Sequence, residues 1–120
     1  MAEHNDLGTS GEEMAVEYLA QKGYKILDRN WSFGKEEIDI IAQNDDLIIF
    51  VEVKTRASAF YGRPEEFVKR QKQRFIIKAA NTYIERHDID KEARFDVIGV
   101  IINAGGKEIN HIEDAFAPVL

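Results

Sequence analysis

Apolar residues along this chain recur at two spacings, and the switches between them divide it into elements. Met14, Ala15, Tyr18 and Leu19 fall three and four residues apart, which predicts an amphipathic helix capped by Thr9 or Ser10 and ended by Gly23. Tyr24 to Phe33 and Glu37 to Ala42 then read as strands. Gln43-Asn44-Asp45-Asp46 is a turn, and Leu47 to Thr55 is a strongly apolar third strand. Ala57 to Arg63 reads as a loop. Pro64 suits the first turn of a long helix running to His87, whose apolar stripe is Val68, Phe75, Ile76, Ala79, Ala80, Tyr83 and Ile84. Phe95 to Asn103 and Lys107 to Ile112 are two more strands around an Ala104-Gly105-Gly106 turn. The order α-β-β-β-α-β-β predicts an α/β (α+β) fold, a mixed central sheet flanked by helices.

Length and composition narrow this picture. The 120 residues suit one domain spanning 1–120, with residues 1–7 expected as a flexible tail. Hydrophobic residues at 44% and charged residues at 32% are a globular balance. The absence of cysteine excludes disulfides, thiolate zinc sites and a cysteine nucleophile. Apolar runs are too short to cross a bilayer and the N-terminus lacks the pattern of a signal peptide, so a cytoplasmic protein with no membrane partner is expected. The net charge is −6, but residues 54–78 carry +6 against −12 for the rest. That basic segment can face a phosphate backbone, or be a solvated helix face.

The charges inside two apolar strands are the most informative feature. In Glu37-Ile38-Asp39-Ile40-Ile41 and Phe50-Val51-Glu52-Val53-Lys54, charges stand where a core strand would hold apolar side chains. A hairpin symmetric about Asp45-Asp46 sets Asp39 opposite Glu52 and Glu37 opposite Lys54, all on one face with Phe50, Ile48 and Ile41. Ile38, Ile40, Val51 and Val53 fall on the other face. Asp39 against Glu52 is a destabilising pair unless a cation lies between the carboxylates or one is protonated. Two such hard oxygen donors suit Mg²⁺ or Mn²⁺, and Lys54 could orient a bound water or stabilise transition-state charge. The competing reading is a salt-bridged patch in which Lys54 neutralises Glu37 and Glu52 on an exposed sheet face.

Asp39 followed by Glu52-Val53-Lys54 on the next strand resembles the PD-(D/E)XK nuclease superfamily, whose restriction-endonuclease-like core has the same order of elements. Gly11-Glu12-Glu13-Met14-Ala15, Glu37 to Ala42, Phe50 to Arg56, Lys72 and Arg94-Phe95-Asp96-Val97 together resemble the YraN-like family. These are small bacterial predicted endonucleases similar to archaeal Holliday-junction resolvases. The resemblance implies Asp39 and Glu52 as metal ligands and Lys54 as the catalytic lysine. It also implies the Val53 carbonyl as a further ligand, Glu12 as holder of a metal-bound water, and Glu37 as a site glutamate. Ile38 stands where the superfamily has proline, and Glu36 where the family has glycine, adding a negative charge beside the site.

Lys72 is the leading phosphate contact, because it also matches the family block. Lys69 is a further candidate on the same helix, and Arg56, Tyr61 and Arg63 are candidates in the loop after the site strand. Trp31 could stack a base, although a half-buried strand role is favoured, and a bracing role is favoured for Asp96. His4, His87 and His111 share no ligand spacing. The expected function is a Mg²⁺- or Mn²⁺-dependent endonuclease acting on nucleic acid, with branched or flapped DNA the expected substrate and the choice of DNA over RNA not fixed by any residue. The alternatives are a binding module that keeps the fold without cutting and a bland interaction domain. A two-fold dimer would suit a junction, but no residue demands one.

Overall fold

A computed structural model describes residues 3–60, 62–66 and 68–118, so Tyr61 lies outside the described residues. In chain order the elements are α1 (Glu3–Gln21), β1 (Lys25–Phe33), β2 (Glu36–Gln43) and β3 (Leu47–Arg56). A short 3-10 helix (Pro64–Glu66) precedes α2 (Arg70–Arg86), β4 (Glu92–Asn103) and β5 (Gly106–Phe116). The five strands form one sheet in the order β1-β2-β3-β4-β5. β3 and β4 are parallel, joined by the α2 crossover, and the other neighbours are antiparallel. The fold is α+β in the expected order of elements, with a helix on each face of a mixed sheet.

Alternation along the strands builds two cores. Ile40, Ala42, Ile49, Val51, Ile98 and Val100 pack under Ala15 and Leu19 of α1. Ile41, Ile48, Phe50 and Phe95 pack under Ile76, Ala79, Ala80 and Tyr83 of α2. The end of α1 follows its sequence signal. Gly23 has a φ of 95°, its N–H donates to the Ala20 carbonyl, and the Tyr24 N–H donates to the Leu19 carbonyl, which together close a Schellman cap. The β2–β3 turn is held by Asn44, whose Oδ1 accepts the Asp46 and Leu47 N–H groups.

Four expectations are corrected. α1 begins at Glu3, so Thr9 and Ser10 lie inside it and part of the expected tail is helical. The long helix from Pro64 is two pieces: Pro64 opens the 3-10 turn and α2 starts at Arg70. The break seats Glu65, 5% exposed, over Gly99 of β4, where a Cβ would stand 2.1 Å from Glu65 Oε1. β5 runs on past Ile112 to Phe116, which stacks on Phe95. Finally, Ile38 packs in the α2-side core with Trp31, whereas Ile40 packs in the α1-side core, so the two-residue alternation does not carry through Asp39, whose Oδ2 accepts the Val53 N–H.

Candidate active site

The β2–β3 ladder has the register expected from the sequence, with Gln43 opposite Ile48 and Ile40 opposite Val51. It stops there. Asp39 does not continue the pairing with its backbone; its Oδ2 accepts the Val53 N–H at 2.8 Å. In an extended strand the N–H and C=O of one residue point the same way, so the Val53 carbonyl also faces the gap between the strands. Glu37 does not reach a ladder position opposite Lys54. It pairs with Ser32 of β1, and its exposed side chain lines the wall of the site.

Glu52 lies beside Asp39 and is 5% exposed. Its Oε2 is 4.0 Å from Lys54 Nζ and 3.9 Å from Lys72 Nζ, beyond the 2.7–2.9 Å of a charge-assisted hydrogen bond. Its Oε1 is buried with no hydrogen-bond partner among the described residues. A patch built to neutralise itself would close these contacts. Burial, followed by the hydrogen bond and charge of Asp39, pushes the Glu52 carboxyl up to about 8, against the pull of Lys72 and Lys54.

Lys72 reaches this site from α2. Its Nζ lies 3.6 Å from Glu36 Oε1, donates to the Glu37 carbonyl at 3.4 Å, and sits 5.2 Å from the centre of the Phe75 ring. The extra acid at position 36 is therefore offset by a lysine. Glu12 approaches from α1, which lies close on β3: a Cβ on Gly11 would stand 2.0 Å from Thr55 Oγ1. Burial, then the charge of Asp39 and more weakly that of Glu37, raise the Glu12 carboxyl above its ordinary value, while Asn30 and Arg29 pull it back. A cleft of about 400 Å³ opens beside these groups, lined by Ser32, Gly34, Lys35, Glu36, Glu37, Asp39 and Lys72.

The donor set suits a hard cation. Two adjacent carboxylates, one with an unpartnered oxygen, and a main-chain carbonyl provide three oxygens, and Mg²⁺ keeps water in its remaining positions. No group of three His, Cys, Asp or Glu side chains able to hold a metal occurs among the described residues, and an ion bound here would draw its third oxygen from the Val53 carbonyl.

Asp39, Glu52, Lys54 and Lys72 thus come together, with Glu12 and Glu37 at the margin. Arg56 is exposed and donates to its neighbour's carbonyl, that of Thr55. Arg63 is committed to Glu65 and Glu108, and so anchors its loop. Lys69 is the exposed N-cap of α2. Trp31 packs edge-on against Tyr83 at 5.1 Å, an internal role. Asp96 is fully buried and accepts from Arg94, from the Asp114 N–H and, at 2.7 Å, bonds His111; it braces the sheet. Sequence reasoning missed Asn30 and Glu65, since neither stands out from its neighbours by type or spacing.

A model of the uncharacterised protein family UPF0102 matches residues 11–100, from Gly11 on α1 to Val100 on β4. A UPF0102 protein of Flavobacterium psychrophilum is 52% identical over 116 residues, covering 97% of this chain and 98% of its own length. Another, from Christiangramia forsetii, is 49% identical over 116 residues, with 97% and 98% covered. A third, from Bacteroides thetaiotaomicron, is 45% identical over 120 residues, with 100% and 99% covered.

Proposed function

This chain belongs to the uncharacterised protein family UPF0102, the YraN-like family, and we propose that it is a divalent-metal-dependent endonuclease hydrolysing phosphodiester bonds in DNA. One observation carries the reading. A buried glutamate with an orphaned oxygen lies against an aspartate, with two lysines held just beyond bonding distance, beside an open cleft. An unsatisfied buried carboxylate is costly, and a cation offsets that cost.

Asp39, Glu52 and the Val53 carbonyl are the ligands for Mg²⁺ or Mn²⁺. The bound ion supplies Lewis-acid polarisation of the phosphate and a water of lowered pKa. Lys54, anchored two residues beyond Glu52, orients the attacking water and faces the negative charge that develops on the phosphorane oxygens. Lys72 offsets the acids on the cleft wall, Glu36 and Glu37, so that a phosphate can approach. Glu12 holds a water on the α1 side, beside Asp39, whose charge together with burial raises the Glu12 carboxyl above its ordinary value. Arg56 and Lys69 add phosphate contacts at the rim.

The test is incubation with labelled duplex, flapped, single-stranded and four-way-junction DNA in Mn²⁺, Mg²⁺ or EDTA, beside Lys54→Ala. Metal-dependent cutting lost in that variant supports the enzyme. Binding without cutting by either protein would replace it with the non-cleaving module, a reading that the acidic lining of the cleft favours.

A further inference from the structure

The ten residues from Lys69 to Lys78 hold five cations and no acid. At 3.6 residues per turn these cations divide between two sides of α2. Lys72 turns toward the cleft, where it meets Glu52, Glu36 and the Glu37 carbonyl. Arg70, Arg74 and Lys78, four residues apart, form a row on the side opposite the buried Ile76, Ala79, Ala80 and Tyr83. All three are exposed, and the row runs roughly 12 Å along the helix.

This row works against the helix that carries it. Like charges four residues apart repel, and cations in a first turn face the positive end of the helix dipole. That turn holds no acid to offset them, and the N-cap is a further cation, Lys69, which makes no side-chain capping bond. Several other surface cations are matched: Lys22 with Glu113, Arg29 with Glu13, and Arg63 with Glu65 and Glu108. Arg70, Arg74 and Lys78 form no ion pair among the described residues, although the chain has 22 acids for 16 Lys and Arg. A local conflict of this kind, three unmatched cations in line on one rigid face, marks a surface that works with a partner.

We infer that the outer face of α2 holds the phosphate backbone of duplex DNA through Arg70, Arg74 and Lys78, as a surface separate from the cleft. This rests on the DNA partner of the proposed nuclease and adds a second contact surface to it. Lys72 and Arg74 point about 200° apart around the helix, so the row takes a different stretch of backbone from the one that meets Lys72. A straight row of fixed cations suits a stiff duplex, whereas a flexible single strand would lose more freedom along it. The exposed neighbours of the row on α2, Gln71 and Asn81, are polar. The row therefore lacks the apolar anchor of a protein-docking or membrane-inserting helix.

The experiment measures affinity for a labelled blunt duplex in EDTA over a series of salt concentrations, so that cleavage plays no part. Arg70→Gln, Arg74→Gln and Lys78→Gln together should weaken binding at least about tenfold at low salt. They should also flatten the slope of log affinity against log salt by about 2–3. The charge-keeping set Arg70→Lys, Arg74→Lys and Lys78→Arg should retain most of that slope. As a control, Lys25→Gln with Lys107→Gln removes exposed cations from β1 and β5 and should change the slope by less than about 0.5. Glutamine is a comparable helix former, so the DNA-free triple variant should unfold at a temperature no lower than wild type at low salt. An unchanged slope in the triple variant overturns the inference, as does an equal loss in the Lys25 and Lys107 control, which would make net charge the cause. A triple variant that melts below wild type would give the row a structural role and overturn it too. Intact duplex affinity with lost binding to phosphatidylserine vesicles would assign the row to a membrane surface instead. Wild-type protein that binds no duplex would sink the DNA reading as well; wild-type binding that survives the triple substitution sinks the row alone.

Discussion

Replacing Glu52 with glutamine should stabilise the metal-free protein at alkaline pH and leave it unchanged in acid. Glutamine is close in shape to the protonated carboxyl, so the two proteins match wherever Glu52 is neutral in both folded and unfolded chains. The folded Glu52 carboxyl is pushed from 4.5 up to about 8 by burial and by Asp39. As pH rises above about 4.5 the unfolded chain loses this proton while the folded protein keeps it, so stability declines until the folded group also ionises near pH 8. At 1.36 kcal/mol per unit this shift has a ceiling of about 5 kcal/mol, and sharing of charge with Asp39 brings the expected difference to roughly 3 kcal/mol. That is a large part of the 5–15 kcal/mol of stability of a typical domain. The assay is urea unfolding of both proteins in EDTA from pH 4 to 9, read as the difference between them, which cancels the titration of every other group. Parallel curves, or a gap that opens on the acid side, would refute the reasoning.

The same proton competes with metal. Thermal stabilisation by Mn²⁺ should strengthen about tenfold in apparent affinity per pH unit up to pH 8 and level off above it; a flat response would mean that Glu52 is not a ligand. Asp39→Asn should raise metal-free thermal stability and abolish the Mn²⁺ shift, and an undiminished shift would remove Asp39 from the site. Gly11→Ala should destabilise by about 1–3 kcal/mol, because the new methyl meets Thr55 Oγ1, Cγ2 and Cβ, and Thr55→Ala in the same chain should recover part of it by urea unfolding. Asp96→Asn should cost about 3–5 kcal/mol at neutral pH without changing Mn²⁺ affinity, since it leaves Arg94 and His111 without their buried carboxylate. That cost should shrink at low pH: although burial pushes Asp96 up, bonds from His111, Arg94 and the Asp114 N–H hold it below its ordinary value, so its contribution is lost as pH falls through the folded pKa.

Local signals carried most of the fold. The hairpin register followed from the Asp45-Asp46 turn and the two-residue alternation, and Asp39 and Glu52 are neighbours as that register requires. What the sequence hid depends on side chains far apart along it. The break before α2 is set by Glu65 settling over Gly99, 34 residues on, where only a missing side chain leaves room. Lys72 reads as one cation on the polar side of a helix; only the crossover brings it to Glu52 and Glu36. Ile38 looks like a partner of Ile40 by periodicity, but the two fall in different cores on either side of Asp39, whose side chain bonds the backbone of the next strand.

That bond also explains how the sheet makes a site without losing its edge. Had β2 and β3 stayed paired beyond Ile40 and Val51, the Val53 N–H and C=O would both be satisfied by β2 and the gap would be closed. Substituting the Asp39 carboxylate for a backbone acceptor satisfies the N–H alone. It fixes a negative charge against Glu52 and leaves the carbonyl of the same residue facing the opening. The parallel pairing of β3 with β4 continues to Arg56, so Glu52 and Lys54 stay on a rigid strand while their other neighbour departs. A single departure from the ladder therefore supplies a fixed carboxylate, a strained glutamate and a main-chain oxygen at one point. Burial and the adjacent Asp39 disfavour the ionised form of Glu52, and a divalent ion held between the two carboxylates would offset that cost.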